Sequence, residues 1–466
     1  MKGINLLFIV TLFICLLFQP VLAKTFIREY KYQASEADSK ITSRAIALEQ
    51  VKRLLLEEIG MYVHATIQSG ETEIDSEVKD LTAKRIEIIS AGITETSIME
   101  EKWNGETYFI KAEIEADEND VIKRLDIVIA DKEKTKQLIE SNRKTNEALA
   151  EIEKLKQQLT QTQNENERLN LQNKYNQNSN ILTAEDWFLK GLKAQQKDEL
   201  DIAFSHYKKS IGLIPEASTY NNMGVAFGDK GDYNKAVECY QKAIEIKPDF
   251  ADAYYNMGNA YKKKGNYNKA IEYYQRAIDI KPNMSDAFSS LGLVYYYKGN
   301  YDESTEYYQK AIEINPDDAK TYDNLGVVLN VMTNFNQAIE FHQKAIEINP
   351  NNAKTYYNIG VVYRNKKNYY KAIEYYQKAL QIDPDYAEAY NTMGDAYRYN
   401  DNFEKGIECY QKAIEIKPDF AEIYNKIGDT YILNNNFEKG KEYYKQAARL
   451  GHKETQDLLE KYEIPW

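Results

Sequence analysis

Residues 251–284 read ADAYYNMGNAYKKKGNYNKAIEYYQRAIDIKPNM, and this stretch decides the fold. Counting from Ala251 as the first place, Asp252 to Lys264 carries apolar residues at helical spacing and stops at Gly265-Asn266. Tyr267 to Ile280 repeats the spacing and ends at Pro282, whose ring removes a backbone donor. Gly258 and Ala270, at places eight and twenty, are small where two helices of a hairpin would cross. Tyr254, Tyr261 and Tyr274, at places four, eleven and twenty-four, are expected to fill the space between neighbouring hairpins. The same glycine returns at a strict interval as Gly224, Gly258, Gly292, Gly326, Gly360, Gly394 and Gly428, and Pro248 to Pro418 keep step. A fixed period of this length marks a stacked array of helical hairpins, each unable to bury its apolar face alone.

The slots Trp/Tyr, Leu-Gly, Tyr, Ala, Phe/Tyr and Pro resemble the tetratricopeptide repeat (TPR) family. Eight units fit, at 184–216, 217–250, 251–284, 285–318, 319–352, 353–386, 387–420 and 421–454. Departures are few: Lys190 and Ala194 take apolar slots of the first unit, and Ser304, Gly406 and Gly440 replace the twentieth-place Ala. His342 takes an aromatic slot and His452 replaces the last proline. Residues 455–466, with Leu458, Leu459 and Tyr462, read as a capping helix. The expected fold is mainly α: a right-handed solenoid of eight hairpins behind a small α+β domain and a coiled-coil or helical spacer.

Residues 1–23 read as a secretory signal peptide: Lys2, an apolar run from Ile4 to Phe18, Pro20, then Val21-Leu22-Ala23 before Lys24. The alternative is an uncleaved N-terminal anchor, against which the run is short for a membrane span. The expected mature chain is exported, most simply to a periplasm, with no later transmembrane span. Cys239 and Cys409 lie in copies of one string, ECYQKAIEIKPDFA, five units apart. They read as packing thiols of a duplicated segment, too distant to pair within one chain.

Residues 24–130 form the α+β domain. Thr25 to Gln33 alternates as a strand, Ser39 to Ile59 is an amphipathic helix with Ile41, Ala45, Leu48, Val51 and Leu55 inward, Tyr62 to Ile67 is β-prone, and Leu81 to Ser90 is helical. Two strands, Ile93 to Lys102 and Thr107 to Ala116, flank the turn Trp103-Asn104-Gly105-Glu106. The motifs AIALEQVKRLLLEEIGMYV (45–63), SAGI (90–93) and EKWNGETYFIKAEI (101–114) resemble, in that order, the N-terminal domain of flagellar assembly protein T and related envelope lipoprotein domains. That resemblance implies an envelope docking module. In the spacer 131–180, Ala148, Ile152, Leu155, Leu159 and Leu169 follow heptad spacing with Thr162 and Asn166 interrupting. Residues 131–171 are expected either to pair as a coiled coil, making a homo-oligomer, or to form a solvated helical spacer, with a hinge at Gln172 to Asn180.

The formal net charge of −12 argues against nucleic acid or an anionic membrane as the main partner. No metal-ligand spacing, phosphate loop or nucleophile motif occurs, so no catalytic residue, metal or cofactor is expected. In the resembled family the first helix of each unit lines a ligand groove. Place six then holds Asn222, Asn256, Asn324 and Asn358, whose amides both donate and accept. Such a ladder could hold an extended protein segment by its backbone, with apolar contacts from Tyr255 and Tyr357 and charge from Lys320, Lys354, Arg364 and Arg398. Asn at this place is also simply common in the repeat. The family's clamp for a C-terminal carboxylate is absent, since Tyr255 and Asn324 stand where it has Lys and Arg. The expectation is an exported scaffold that binds protein partners. The alternative is an oligomeric tether without peptide capture, and an enzyme comes last.

Overall fold

The computed structural model describes residues 24–35, 38–69, 94, 96–116, 132–162 and 164–466. The expected signal peptide, the helix at 81–90 and the SAGI step fall outside the described residues. Two compact units divide the chain, Met1–Pro248 and Asp249–Trp466.

In the first unit β1 (Lys24–Gln33), β2 (Ser97–Trp103) and β3 (Thr107–Ala116) form an antiparallel sheet with β3 in the centre. Phe26 pairs with Ile114 and Tyr30 with Ile110, and the turn between β2 and β3 carries Gly105 at φ +96°. Asn104 Oδ1 accepts from the amides of Glu106 and Thr107 (3.0 and 2.7 Å), so the sequence NG closes the hairpin as expected.

Helix α1 (Lys40–Ser69) covers one sheet face. It buries Val51, Leu55, Ile59 and Val63, a stripe at i+4 spacing, and the helix runs straight through the segment expected to be a strand at 62–67. β-propensity over a few residues yields there to the continuing helical stripe. Ile41, expected to face inward, is 76% exposed, because the buried face runs through Thr42, Ile46 and Ala47 instead.

Helices α2 (Lys132–Gln161) and α3 (Glu165–Gln196) form an antiparallel hairpin. Asn164 caps α3, its side chain accepting from the amides of Asn166 and Glu167 (3.0 and 3.2 Å). The heptad residues Ala148, Ile152, Leu155 and Leu159 are buried in the same core as the sheet, α1 and α3, so their stripe is covered within the chain. Leu169, the last of the series, is 62% exposed. The expected hinge at 172–180 lies inside α3, an unbroken helix whose buried Tyr175, Ser179 and Leu182 face the core. Polar residues at 172–178 fill its outer side, so composition there suggests a linker where packing makes a helix.

α3 is also the first helix of the first repeat; α4 (Leu200–Leu213), α5 (Ala217–Asp229) and α6 (Tyr233–Ile246) complete two hairpins. Polar contacts fasten the N-terminal layer to α3. Lys52 pairs with Asp186, which also receives Lys190 at 2.9 Å. Ser141 donates to Glu185 (2.6 Å), and Lys144 bridges Glu185 and Glu216. Tyr32 and Tyr175 both donate to Asp38, their hydroxyls 3.1 Å apart.

In the second unit six further hairpins follow, from α7 (Ala251–Lys263) and α8 (Tyr267–Ile280) through α9 (Ser285–Tyr297), α10 (Tyr301–Ile314), α11 (Ala319–Val331), α12 (Phe335–Ile348), α13 (Ala353–Asn365), α14 (Tyr369–Ile382), α15 (Ala387–Tyr399) and α16 (Phe403–Ile416) to α17 (Ala421–Leu433) and α18 (Phe437–Arg449). The helix α19 (Lys453–Lys461) closes the end, its N-cap His452 accepting from the Thr455 amide. The ring at place twenty-four lies over the glycine of its own hairpin, not between hairpins as expected. A Cβ on Gly258 would stand 2.6 Å from the Tyr274 ring, and one on Gly360 2.5 Å from Tyr376. Place twenty meets the backbone there: Ser304 Oγ donates to the Gly292 carbonyl at 2.7 Å, which explains that departure from Ala. The rings at places four and eleven also close on their own hairpin, Tyr261 stacking on Tyr273 at 5.3 Å and Tyr254 lying 6.4 Å from it.

One prediction concerns the Lys52–Asp186 pair. Burial pushes the Asp186 carboxyl up, but Lys52 and Lys190 outweigh it and hold the group at about 2, below its usual 3.8. A depressed acid stabilises the fold above its unfolded pKa, and that contribution drains as pH falls through the folded value. Lys52→Met should destabilise the first unit by about 2 kcal/mol at neutral pH. In urea melts of variant and parent the difference should shrink between pH 4 and pH 2; a pH-independent difference refutes the ion-pair account.

Candidate functional site

Successive first helices of the second unit touch one another: α7 meets α9, α9 meets α11, α11 meets α13 and α13 meets α15, and α17 reaches α15 through Lys426. The places at which they meet are read from side chains. Asn358 Nδ2, place six, donates to Asp323 Oδ2, place five of the preceding hairpin, at 3.0 Å. Asn365 Nδ2 donates to Asn330 Oδ1 at 3.0 Å, and Lys426 Nζ to Asn391 Oδ1 at 3.1 Å. Places five, six, twelve and thirteen therefore share the face along which these helices line up. Place two lies one turn before places five and six on that same face.

The expected groove residues divide into engaged and free groups. Asn358 is committed to Asp323 through one amide hydrogen, which leaves its other hydrogen and its carbonyl oxygen. Asn324 and Asn256 are half-buried on the same face, and Asn256 has a partner within the protein. Asn222, in the first unit, is buried and turns its Nδ2 back to the Ser218 carbonyl (3.0 Å). A uniform ladder of free amides is thus not what the fold builds. Helical register sets Asn358 beside Asp323, place five of the preceding hairpin, and there the amide is used.

Tyr255 lies 5.8 Å from Tyr274, and Tyr357 lies 5.7 Å from Tyr376 and 5.1 Å from Tyr386, all half-buried or buried rings. Lys320 and Lys354 are exposed and Arg364 half-buried, with no ion pair to any of them among the described residues. Arg398 is held among Tyr399, whose ring centre is 5.0 Å from the guanidinium, and the acidic residues Asp395 and Asp429.

Sequence reasoning missed a buried polar chain beneath this face. Asp395 accepts from Tyr410 Oη at 2.7 Å and pairs with Lys426 at 3.0 Å. Asp323 accepts from Asn358 and lies 2.7 Å from His342 Nδ1, whose ring is fully buried over Gly326. His342 thus takes the place of a tyrosine ring, and Asp323 fixes its proton on Nδ1. The signal was present in place nine: Asn259, Asp395 and Asp429 each accept from the place-twenty-four hydroxyl of their own hairpin, at 2.7 or 2.8 Å. Where place nine is Val361, the Tyr376 hydroxyl is buried without an acceptor among the described residues.

Cys239 and Cys409 are buried free thiols, and burial pushes each up to about 12, so both are protonated and unreactive at neutral pH. Among the described residues no group of three or more His, Cys, Asp or Glu could hold a metal ion. No described helix is long and apolar enough to cross a membrane.

Val361→Asn should supply the missing acceptor and raise the stability of the second unit by about 1 kcal/mol. An unchanged or lower urea midpoint would show that Tyr376 needs no acceptor.

A family profile described as TPR repeat matches residues 224–265, 334–367 and 394–435. Profiles described as tetratricopeptide repeat match 251–284, 285–318 and 353–386, then 307–340 and 375–408, and finally 421–450. Among solved structures the chain is similar to YrrB, described as a TPR protein with an unusual peptide-binding site. That similarity is 29% identity over 39% of this chain and 95% of that one, with a TM-score of 0.34. It is also similar to MamA (27% identity, 37% and 94% covered, TM-score 0.34) and to PilF of Pseudomonas aeruginosa (20%, 43% and 92%, TM-score 0.39). With the ring-on-glycine hairpins in place and profiles matching in tandem, residues 224–450 of this chain are tetratricopeptide repeats.

Proposed function

We propose that this chain is an exported, non-catalytic scaffold that holds an extended segment of a partner protein on the first-helix face of residues 249–466. The observation that carries this reading is the mixture on that face. Tyr357 is a half-buried ring backed by Tyr376 and Tyr386, and Asn358 is oriented by Asp323 with hydrogen-bonding capacity to spare. Lys320, Lys354 and Arg364 flank them without an ion pair among the described residues. Oriented amides beside aromatic area suit a peptide backbone with its alternate side chains. The repeat family is one of protein-interaction scaffolds, which agrees with the absence of any catalytic grouping in the sequence.

Export rests on residues 1–23, and docking to envelope machinery rests on the resemblance of residues 45–114 to the flagellar assembly protein T domain. The layer of β1–β3 and α1 is fastened to α3 by Lys52–Asp186 and by Tyr175–Asp38, so a load on the N-terminal layer is passed to the first repeat.

Two measurements test the proposal. A peptide library displayed against the full chain should yield sequences whose binding falls about tenfold when Tyr357, Asn324 and Asn358 are all changed to Ala. Selected peptides that bind the triple variant equally well, or no selected peptides, would overturn the groove reading. Residues 1–23 fused to a phosphatase active only outside the cytoplasm should give activity; an inactive fusion retained inside the cell would remove export.

A further inference from the structure

The charges on the first-helix face of the second unit are paired asymmetrically. Asp323 is held by His342 and Asn358, Glu388 by Lys417, Asp395 by Tyr410 and Lys426, Glu422 by Lys426, and Asp429 by Tyr444. Asp252 has a partner as well, which leaves Asp286 as the one acid on these helices without a partner among the described residues. Most of the cations show the reverse. Lys426 is paired and Arg398 lies beside Asp395 and Asp429, but Lys262, Lys263, Lys320, Lys354 and Arg364 make no ion pair among the described residues, although the whole chain carries a net charge of −12.

Geometry gathers them. Lys262 and Lys263 end the first helix of one hairpin, and Lys320 begins the first helix two hairpins on. Lys320 is still close enough to push the Lys262 pKa down, a shift led by burial and reinforced by Lys263. A half-buried ammonium facing two like charges is an unfavourable arrangement that an incoming anion would relieve. Arg364 stands at the same place twelve as Lys262, three hairpins further along, beside Tyr357 and Tyr376.

We infer that the segment held by this face is acidic: an extended polypeptide of a partner protein, with aspartate or glutamate side chains at intervals that meet Lys262–Lys263–Lys320 at one end and Lys354–Arg364 at the other. This rests on the groove reading above and names the chemistry of its ligand. The spacing between the two groups requires several carboxylates along a chain rather than one terminal carboxylate. The surrounding protein, negative overall, repels acidic chains elsewhere, so the free cations also set where such a segment lands.

The test uses the full chain and a fluorescein-labelled alternating Glu-Ala peptide, read by anisotropy against the same peptide with Lys for Glu and with Gln for Glu. The Glu peptide should bind, weaken as salt is raised, and outcompete both others. Lys262→Ala, Lys320→Ala and Arg364→Ala should each weaken it roughly fivefold, whereas Lys344→Ala on the second-helix side leaves it unchanged. Circular dichroism melts matching the parent keep folding out of the comparison. Equal binding of the Gln or Lys peptide, or indifference to all three groove substitutions, overturns the assignment. The display selection separates the two levels: groove-dependent peptides without acidic excess defeat this inference and leave the groove reading standing, and the lack of any groove-dependent peptide defeats both.

Discussion

Every hairpin of the second unit depends on one steric condition: the eighth place must lack a Cβ. The ring at place twenty-four occupies that volume, with carbon atoms between 2.5 and 2.9 Å of where a Cβ would stand at Gly258, Gly292, Gly360, Gly394 and Gly428. An alanine there would require either the ring or the helix to move, which close-packed interiors resist. The ring in turn sets the distance between the two helices, and its hydroxyl reaches place nine wherever an acceptor is available. The small residue at place twenty lets the second helix lie on the carbonyl of that same glycine. Once these contacts are satisfied, the face that first helices present to one another is fixed, and so is the register that sets Asn358 beside Asp323.

The repeats were legible because their determinants are local and periodic. Glycine, ring and proline recur at fixed distances, and the helix ends at Lys263 and Ile280 fall within a residue or two of the expected ones. The N-terminal layer was legible in part. Its hairpin follows from Asn104-Gly105, a two-residue signal. The extent of α1 depends instead on Val63 continuing a stripe that only the sheet behind it rewards. The heptad pattern of α2 was seen correctly as an apolar stripe. What covers such a stripe is a tertiary question, and here α3, α1 and the sheet supply the cover within the chain.

The groove residues show the same division. Their placement on one face follows from helical periodicity, so Lys320, Asn358 and Arg364 were found by counting. Which of them remain free was not readable, because pairing crosses hairpins: Asn358 with Asp323, Lys426 with Asn391 and Asp395. Those partners stand about one period apart in sequence, and nothing in either residue alone marks it as taken. His342 illustrates the point in reverse. Its slot already marked it as an aromatic substitute, and with Gly326 beneath it and Asp323 beside it, it is the imidazole version of a packing ring.

Helix α3 belongs at once to the N-terminal layer and to the first hairpin, unbroken from Glu165 to Gln196. Interior hairpins are interchangeable modules, and the string ECYQKAIEIKPDFA at 238–251 and again at 408–421 bears the mark of copying. The first hairpin cannot be exchanged in that way, because its leading helix is fused to Tyr32, Lys52 and Asp38 through residues that no other repeat carries. Recombination among the units can therefore lengthen or shorten the array while its origin stays fixed. In this chain the reach of the array is free to drift over generations, and its point of attachment is not.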